Sequence, residues 1–241
     1  MAKFRTLVVA SGVIALPALY IRSRVLSLER AYPPLPSETT STSELRTPTA
    51  PGTRTAYVDA YGARVPLSTL RRSADRKDAQ IPLEELWPKA FLRSETMKLE
   101  SNIVGKGKRG DLGEQGFYSG QSLLNGALQV QRTPARDTAL LVSWSMPSDV
   151  VQFFERLASW GYPWRMMEGG RHEWSIGPVG RLPGESEDMV EVRFSAAHDY
   201  KIVEGEAGEG KIIPQWVLRG HRVYARLLLD EAVQGLRDGT L

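Results

Sequence analysis

The chain of 241 residues has room for one globular domain with additional segments, because a single hydrophobic core typically serves roughly 100 to 200 residues. Its 31 Lys and Arg residues slightly exceed its 28 Asp and Glu residues, but residues 1–30 hold five basic residues and one acidic residue, so the remainder is close to neutral. A neutral domain lacks the concentrated basic surface that nucleic acids require, and the absence of cysteine excludes disulfides, thiolate nucleophiles, zinc fingers and iron–sulfur clusters.

A hydrophobic segment comes first along the chain. Residues 6–21, TLVVASGVIALPALYI, are sixteen residues without a charge, and basic residues flank them on both sides. As a helix this segment would span ~24 Å, which is short for a bilayer core, but the stems of flanking Lys and Arg side chains extend its reach. We predict a retained membrane helix within residues 1–30 and a single-pass membrane protein. A cleaved secretory signal peptide and a mitochondrial presequence remain alternatives, so the organelle, secretory pathway or mitochondrion, stays open.

The next segment, residues 31–56, has the composition of a linker. Residues 33–56 contain five Pro and ten Ser or Thr and almost no large apolar side chains. Such a composition cannot bury a core and predicts a disordered, extended spacer. The globular domain is therefore predicted to cover residues 57–241.

The first half of this domain is predicted to contain one strand, one helical stretch and two further strands. A strand is expected over residues 57–65, followed by a glycine-rich loop at 105–116 and alternating strands near 128–131 and 140–144. Between the first strand and the loop, Pro88 is expected to kink or split a helix. Apolar residues at helical spacing define that helix: Leu83, Leu86, Trp87, Ala90 and Phe91.

A compact helix and a hairpin are predicted next. Ser148 can cap the helix and Gly161 can end it. Its expected buried stripe consists of Val150, Phe153, Phe154 and Leu157. Residues 163–176 are predicted to form a hairpin that turns at Gly169 and Gly170, a pair that accepts the positive φ angles of a type I′ turn.

The clearest strand and the last helix close the domain. Residues 188–203 alternate between apolar and polar side chains, and Pro214 opens a long helix. The apolar face of the strand comprises Val190, Val192, Phe194, Ala196, His198, Tyr200 and Ile202. The helix combines an apolar stripe with a row of three arginines, Arg219, Arg222 and Arg226.

These elements predict an α+β fold in which an antiparallel sheet packs against a long amphipathic C-terminal helix, preceded by one N-terminal membrane helix. Their order resembles that of the helix-grip domains of the START type. That resemblance implies a hydrophobic ligand enclosed between a curved antiparallel sheet and the last helix. The interior helix predicted at residues 148–160 departs from the pattern.

The three histidines are the candidate acid–base groups. His198 lies on the apolar face of its strand, so it is expected inside, either as a satisfied core histidine or as a pocket acid or base. His172 shares a predicted hairpin face with Arg165 and Trp174, whereas His221 is expected to be exposed. No spacing of histidines and carboxylates suits a metal ion, so we predict neither a metal site nor a cofactor.

Aromatic residues are concentrated between positions 144 and 174, a span of 31 residues that holds four of the six tryptophans. Such density suits either a packed core or an apolar ligand cavity. The residues predicted to bind a ligand are Trp144, Trp164, Arg165, Trp174 and Tyr200, with His198 and His172 as weak catalytic candidates.

Two functions are therefore expected. The first is a membrane-tethered domain that binds a hydrophobic small molecule, with its chemical transformation by the histidines left open. The second is a non-enzymatic, membrane-anchored adaptor or assembly factor, suggested by the long spacer and the arginine row.

Overall fold

The fold is built on a six-stranded antiparallel sheet. The computed structural model describes residues 19–73, 81–206 and 210–240. The strands are β1 (Thr53–Pro66), β2 (Ser122–Leu123), β3 (Leu128–Arg132), β4 (Leu140–Ser145), β5 (Gly169–Gly180) and β6 (Met189–Lys201). Their order across the sheet is β1-β6-β5-β4-β3-β2, so β2 to β6 form a meander and β1 returns beside the last strand.

Helices connect the strands. They are α1 (19–31), α2 (Ser37–Thr40), α3 (Leu67–Arg72), α4 (Leu83–Leu92), α5 (Glu95–Val104), α6 (Ser148–Ser159) and α7 (Gln215–Asp238). Of these, α4 and α7 cover one face of the sheet. The main apolar core lies between the face covered by α4 and α7, here called the inner face, and those two helices. This confirms the predicted α+β fold, with its antiparallel sheet and C-terminal helix.

Most of the predicted membrane helix lies outside the described residues, which begin at residue 19. Residues 19–21, the end of its uncharged segment, belong to α1. Within the described ranges, no helix combines the length and the hydropathy needed to cross a membrane. The described part of α1 instead packs on α7, where Leu28 is buried and the Tyr32 hydroxyl donates to Asp230 at 2.8 Å.

Apolar and polar side chains alternate along β6, and the apolar ones lie on the inner face, as predicted. Val190, Val192, Phe194, Ala196 and His198 are all at most 3 % exposed. Every second side chain of a strand points to the same face, so these residues form one continuous apolar surface. Apolar residues of α7 cover that surface: Leu228, Leu229, Ala232, Val233 and Leu236.

The opposite, outer face of the sheet is covered by a segment that we call the strap, residues 41–49. Its Thr42 donates hydrogen bonds from its backbone N–H and its hydroxyl to the carboxylate of Glu173. Thr49 does the same to Asp199, with both donor atoms within 2.8 Å of the same carboxylate oxygen. Leu45, at the centre of the strap, is entirely buried.

The strap corrects the prediction of a disordered spacer over residues 31–56. That prediction assumed that burial needs large apolar side chains. Here, two carboxylates on the outer face are almost completely buried and require hydrogen-bond donors, and threonine hydroxyls and amides supply them. A polar segment can therefore be held firmly on a sheet.

The predicted hairpin over residues 163–176 is also wrong. Gly169 and Gly170 begin β5, where Gly170 pairs with Trp144 on one side and with His198 on the other. A Cβ atom at Gly170 would lie 1.9 Å from the carbonyl oxygen of Ala197. The glycine is needed for close approach of neighbouring backbones, which is a second common role of glycine in strands besides turn formation.

The predicted buried stripe of α6 does not form. Ala158 is the buried residue of this helix, whereas Phe153 is 51 % exposed. Helix α6 therefore shows much of its apolar face to the surface.

Replacing Leu45 by Ala should destabilise the protein by about 2–5 kcal/mol, because it leaves a cavity between the strap and the outer face. The free energy of unfolding, measured in urea, tests this. Leu182→Ala is the control, since Leu182 is 53 % exposed, and it should change stability by less than about 0.5 kcal/mol. Equal effects of the two substitutions would show that the strap contributes nothing to the fold.

Candidate functional site

An apolar cavity of about 190 Å³ lies between the inner face of the sheet and α7. Phe91 of α4 and Glu100 of α5 contribute to its wall. Strands β4 to β6 supply the floor, and one face of α7 supplies the roof. The cavity thus occupies the place where a sheet and a long helix diverge instead of packing side chain against side chain.

The floor is a continuous row of rings. The ring centroids of Trp144 and His172 are 5.8 Å apart, and those of His172 and Trp174 are 6.0 Å apart. Phe194 extends the row, with its ring 5.4 Å from that of Trp174. Strand register brings these side chains together, because His172 and Trp174 are two residues apart on one strand and Phe194 is the cross-strand partner of Trp174.

Gly170 makes room for this floor. It lies between Trp144 and His198 in the register of the sheet, and the indole of Trp144 approaches within 3.1 Å of the position that a Cβ atom of residue 170 would occupy. Without a side chain at this position, the Trp144 ring can extend across β5. It reaches both His172 and His198, each with a centroid distance of 5.8 Å.

The roof is one face of α7. His221, Tyr224, Ala225 and Leu228 are spaced at i, i+3, i+4 and i+7, which places them on the same side of a helix. The Tyr224 hydroxyl donates a hydrogen bond to Glu100. Burial and this carboxylate raise the pKa of Tyr224 above its ordinary value, so the phenol stays protonated and ties α5 to α7.

Two imidazoles meet at one end of the cavity. The Nε2 atoms of His198 and His221 are 2.7 Å apart, and Tyr57 stacks on His198 with a centroid distance of 4.5 Å. Burial lowers the pKa of both histidines, and the charge of His221 lowers that of His198 further, whereas Asp59 opposes the shift at His221. Both rings are therefore neutral near pH 7, and one donates its Nε2–H to the other.

Some polar groups in the cavity wall can still form hydrogen bonds. The indole N–H groups of Trp144 and Trp174 are buried and find no acceptor among the described residues. Burial lowers the pKa of His172 to about 3, so this ring is neutral and offers one donor and one acceptor. An unpaired buried donor costs about 1–3 kcal/mol, so a bound molecule whose acceptor atom reaches either indole N–H would be favoured.

Three residues predicted as site residues come together in the cavity wall, namely Trp144, His172 and Trp174. His198 lies directly behind the wall, completely buried on the inner face as predicted. The prediction that His221 is exposed is wrong, because α7 turns this imidazole towards the sheet.

The other three predicted residues lie elsewhere. Trp164 and Arg165 precede β5, and the Arg165 guanidinium forms ion pairs with Glu155 and Glu206. Tyr200 belongs to a second, smaller apolar cluster. The predicted face shared by Arg165, His172 and Trp174 depended on the hairpin that does not form, whereas Tyr200 lies on β6 as predicted but packs in the second cluster.

Sequence reasoning missed the contributions of α5 and α7, above all Glu100, His221 and Tyr224. The signal for His221 was present, since it lies three, four and seven residues before Tyr224, Ala225 and Leu228. Glu100 carries no such signal, because its role depends on how α5 is placed against α7.

Within the described part of the chain, no group of three or more His, Cys, Asp or Glu residues could hold a metal ion. The fold and the cavity together define an α+β domain with an apolar site between an antiparallel sheet and its C-terminal helix. No protein-family model matches the chain, and no curated protein or solved structure matches it significantly.

Burial of His172 predicts a specific pH dependence of stability. The unfolded chain protonates this residue near its ordinary pKa of 6.5, but the folded protein does so only near 3. The contribution of the neutral His172 ring to the free energy of unfolding is therefore complete above pH 6.5. It is lost as the pH falls towards 3, at about 1.4 kcal/mol per pH unit.

His172→Gln should therefore reduce the slope of unfolding free energy against pH between about pH 6 and pH 5. The reduction should correspond to about one proton fewer taken up on unfolding. The comparison with the unmodified protein separates His172 from Asp59, His198 and His221, whose pKa values are also shifted. Urea unfolding at several pH values measures the slopes, and slopes above pH 7 serve as the internal control. Parallel curves for both proteins below pH 6 would contradict the prediction.

Proposed function

We propose that this protein is a membrane-tethered domain that binds a small hydrophobic molecule carrying a hydrogen-bond acceptor. The observation that carries the proposal is the apolar cavity whose wall contains two buried indole N–H donors without acceptors. Ligand sites are commonly apolar clefts with a few placed polar groups, which is the chemistry of this cavity.

The size of the cavity limits the ligand. An engineered apolar cavity of about 150 Å³ binds benzene, so a space of about 190 Å³ suits one ring, a short alkyl chain or one end of a larger molecule. A carbonyl or hydroxyl oxygen on that molecule would accept from the indole donors. Tethering remains part of the proposal because residues 6–21 form an uncharged segment flanked by basic residues.

Binding is the activity that the geometry supports best. His172 and the pair of His198 and His221 are neutral imidazoles beside the cavity, and these are the groups that would exchange protons with a bound molecule if it reacts.

The arginine row, one of the two observations that suggested the adaptor hypothesis, makes contacts within the chain. Arg219 pairs with Glu29 at 2.9 Å, and Arg222 pairs with Asp59 at 2.8 Å. Arg226 is buried, donates to a backbone carbonyl of residue 32 and lies over the ring of Tyr61. The arginine row thus holds α1 and β1 against α7.

A first experiment looks for the natural ligand. The full-length protein, purified from its own host, is extracted with solvent and the extract is analysed by mass spectrometry. Ala225→Leu, which fills the roof of the cavity, should remove the retained molecule, whereas Ala135→Leu in an exposed turn should not. Retention of the same molecule by Ala225→Leu would place its binding site elsewhere.

A second experiment tests the acceptor. Toluene and acetophenone have similar apolar rings, but only acetophenone carries a carbonyl oxygen. Acetophenone should bind roughly tenfold more tightly, since one hydrogen bond contributes about 1 kcal/mol or more when a buried donor gains a partner. Quenching of tryptophan fluorescence measures both affinities. Equal affinities would contradict a role for the indole donors.

A further inference from the structure

A group of aromatic side chains on α6 and the following loop is left on the surface. We call it the aromatic ridge, and its members are Phe153, Phe154, Trp160, Tyr162 and Trp164. The rings other than that of Trp160 form a connected series, with centroid distances of 5.3 Å from Phe153 to Phe154, 6.2 Å from Phe154 to Trp164 and 4.5 Å from Trp164 to Tyr162. Trp160 is 80 % exposed.

Such a ridge is unusual on a water-facing surface. Single exposed apolar residues are normal, but connected aromatic surface marks an interaction site in soluble and membrane-associated proteins. The ridge does not belong to the cavity, because none of its members contributes to the cavity wall. It therefore needs its own explanation.

The ridge lies beside the start of α7. The loop that carries it is held there by two contacts: the backbone N–H of Arg165 donates to the carbonyl of Ile212, and the Lys211 ammonium donates to the carbonyl of Ala158. Trp216 lies four residues after Ile212, in the first turn of α7, and is 75 % exposed.

Trp216 in turn adjoins the first described turns of the chain. It lines a surface groove together with Arg22 and Val25 of α1. Leu19 and Tyr20, the first described residues of that helix, are exposed. The end of the uncharged segment 6–21, Trp216 and the ridge thus follow one another along one side of the molecule.

We propose that the aromatic ridge and Trp216 insert into the boundary between headgroups and acyl chains of a lipid bilayer. Trp and Tyr rings favour this boundary because one part of the ring is apolar and another donates hydrogen bonds. The proposal rests on the proposed membrane tether, since a tether at residues 6–21 brings the bilayer to Trp216. The domain then sits directly on the membrane surface.

The absence of cysteine makes a site-specific test simple. Trp160→Cys, Trp216→Cys and Leu182→Cys are each made in the full-length protein and carry one spin label. Leu182 follows the far end of β5 and is exposed, so it serves as the matched control. The proteins are reconstituted into phosphatidylcholine vesicles, and collisions with oxygen and with a water-soluble nickel chelate are measured by electron paramagnetic resonance.

Labels at positions 160 and 216 should collide severalfold more with oxygen than with nickel, while the label at 182 remains accessible to nickel. Labels as accessible to nickel as the control would overturn the proposal. Labels shielded from both reagents, in vesicles and in detergent alike, would also overturn it and indicate a protein contact, either a second copy or another chain.

Vesicle flotation distinguishes failure of the ridge proposal from failure of the proposed tether. Protein that floats with vesicles but carries water-exposed labels overturns the ridge proposal alone. Protein that does not float overturns both the tether and the ridge. Neither result depends on the cavity, whose ligand is tested separately by extraction.

Discussion

Helix α7 is held over the sheet by polar contacts as well as by apolar packing, and the site depends on this arrangement. Its Arg222 pairs with Asp59 of β1, and its His221 meets His198 of β6. Tyr224 binds Glu100 of α5. Hydrogen-bonded groups have preferred lengths and directions, so these contacts fix the position of α7 relative to the sheet and to α5. The cavity lies between the elements that they join.

The sheet itself is buried on both faces, which is uncommon for an antiparallel sheet with a polar segment on one side. The inner face uses the apolar surface of β6 and α7, whereas the outer face uses hydrogen bonds between threonines of the strap and two carboxylates. The chain therefore completes its fold with residues that precede the first strand. The domain includes the strap as a structural part.

Local patterns in the sequence predicted the elements with strong periodicity. The alternation in β6 and the presence of the long helix α7 depend only on geometry within one element, and both predictions were confirmed. The apolar stripe predicted for α7 was only partly right, because Leu228 is buried but Trp216 is 75 % exposed. Gly169 and Gly170 were misassigned because a glycine pair fits a turn as well as a close approach between strands, and only the neighbouring strands decide between them. The same distinction holds for the site. Trp144, His172 and Trp174 lie on strands whose alternation indicates which side chains share a face, whereas the position of Glu100 depends on tertiary packing.

Three consecutive residues of β5 contribute side chains to both faces of the sheet. Glu173 accepts hydrogen bonds from the strap on the outer side, and its neighbours His172 and Trp174 form the floor of the cavity on the inner side. The backbone that orients these two rings is paired with β4 on one side and with β6 on the other. The strap and the cavity are therefore anchored on opposite faces of one short peptide segment, so a substitution in this segment can affect both.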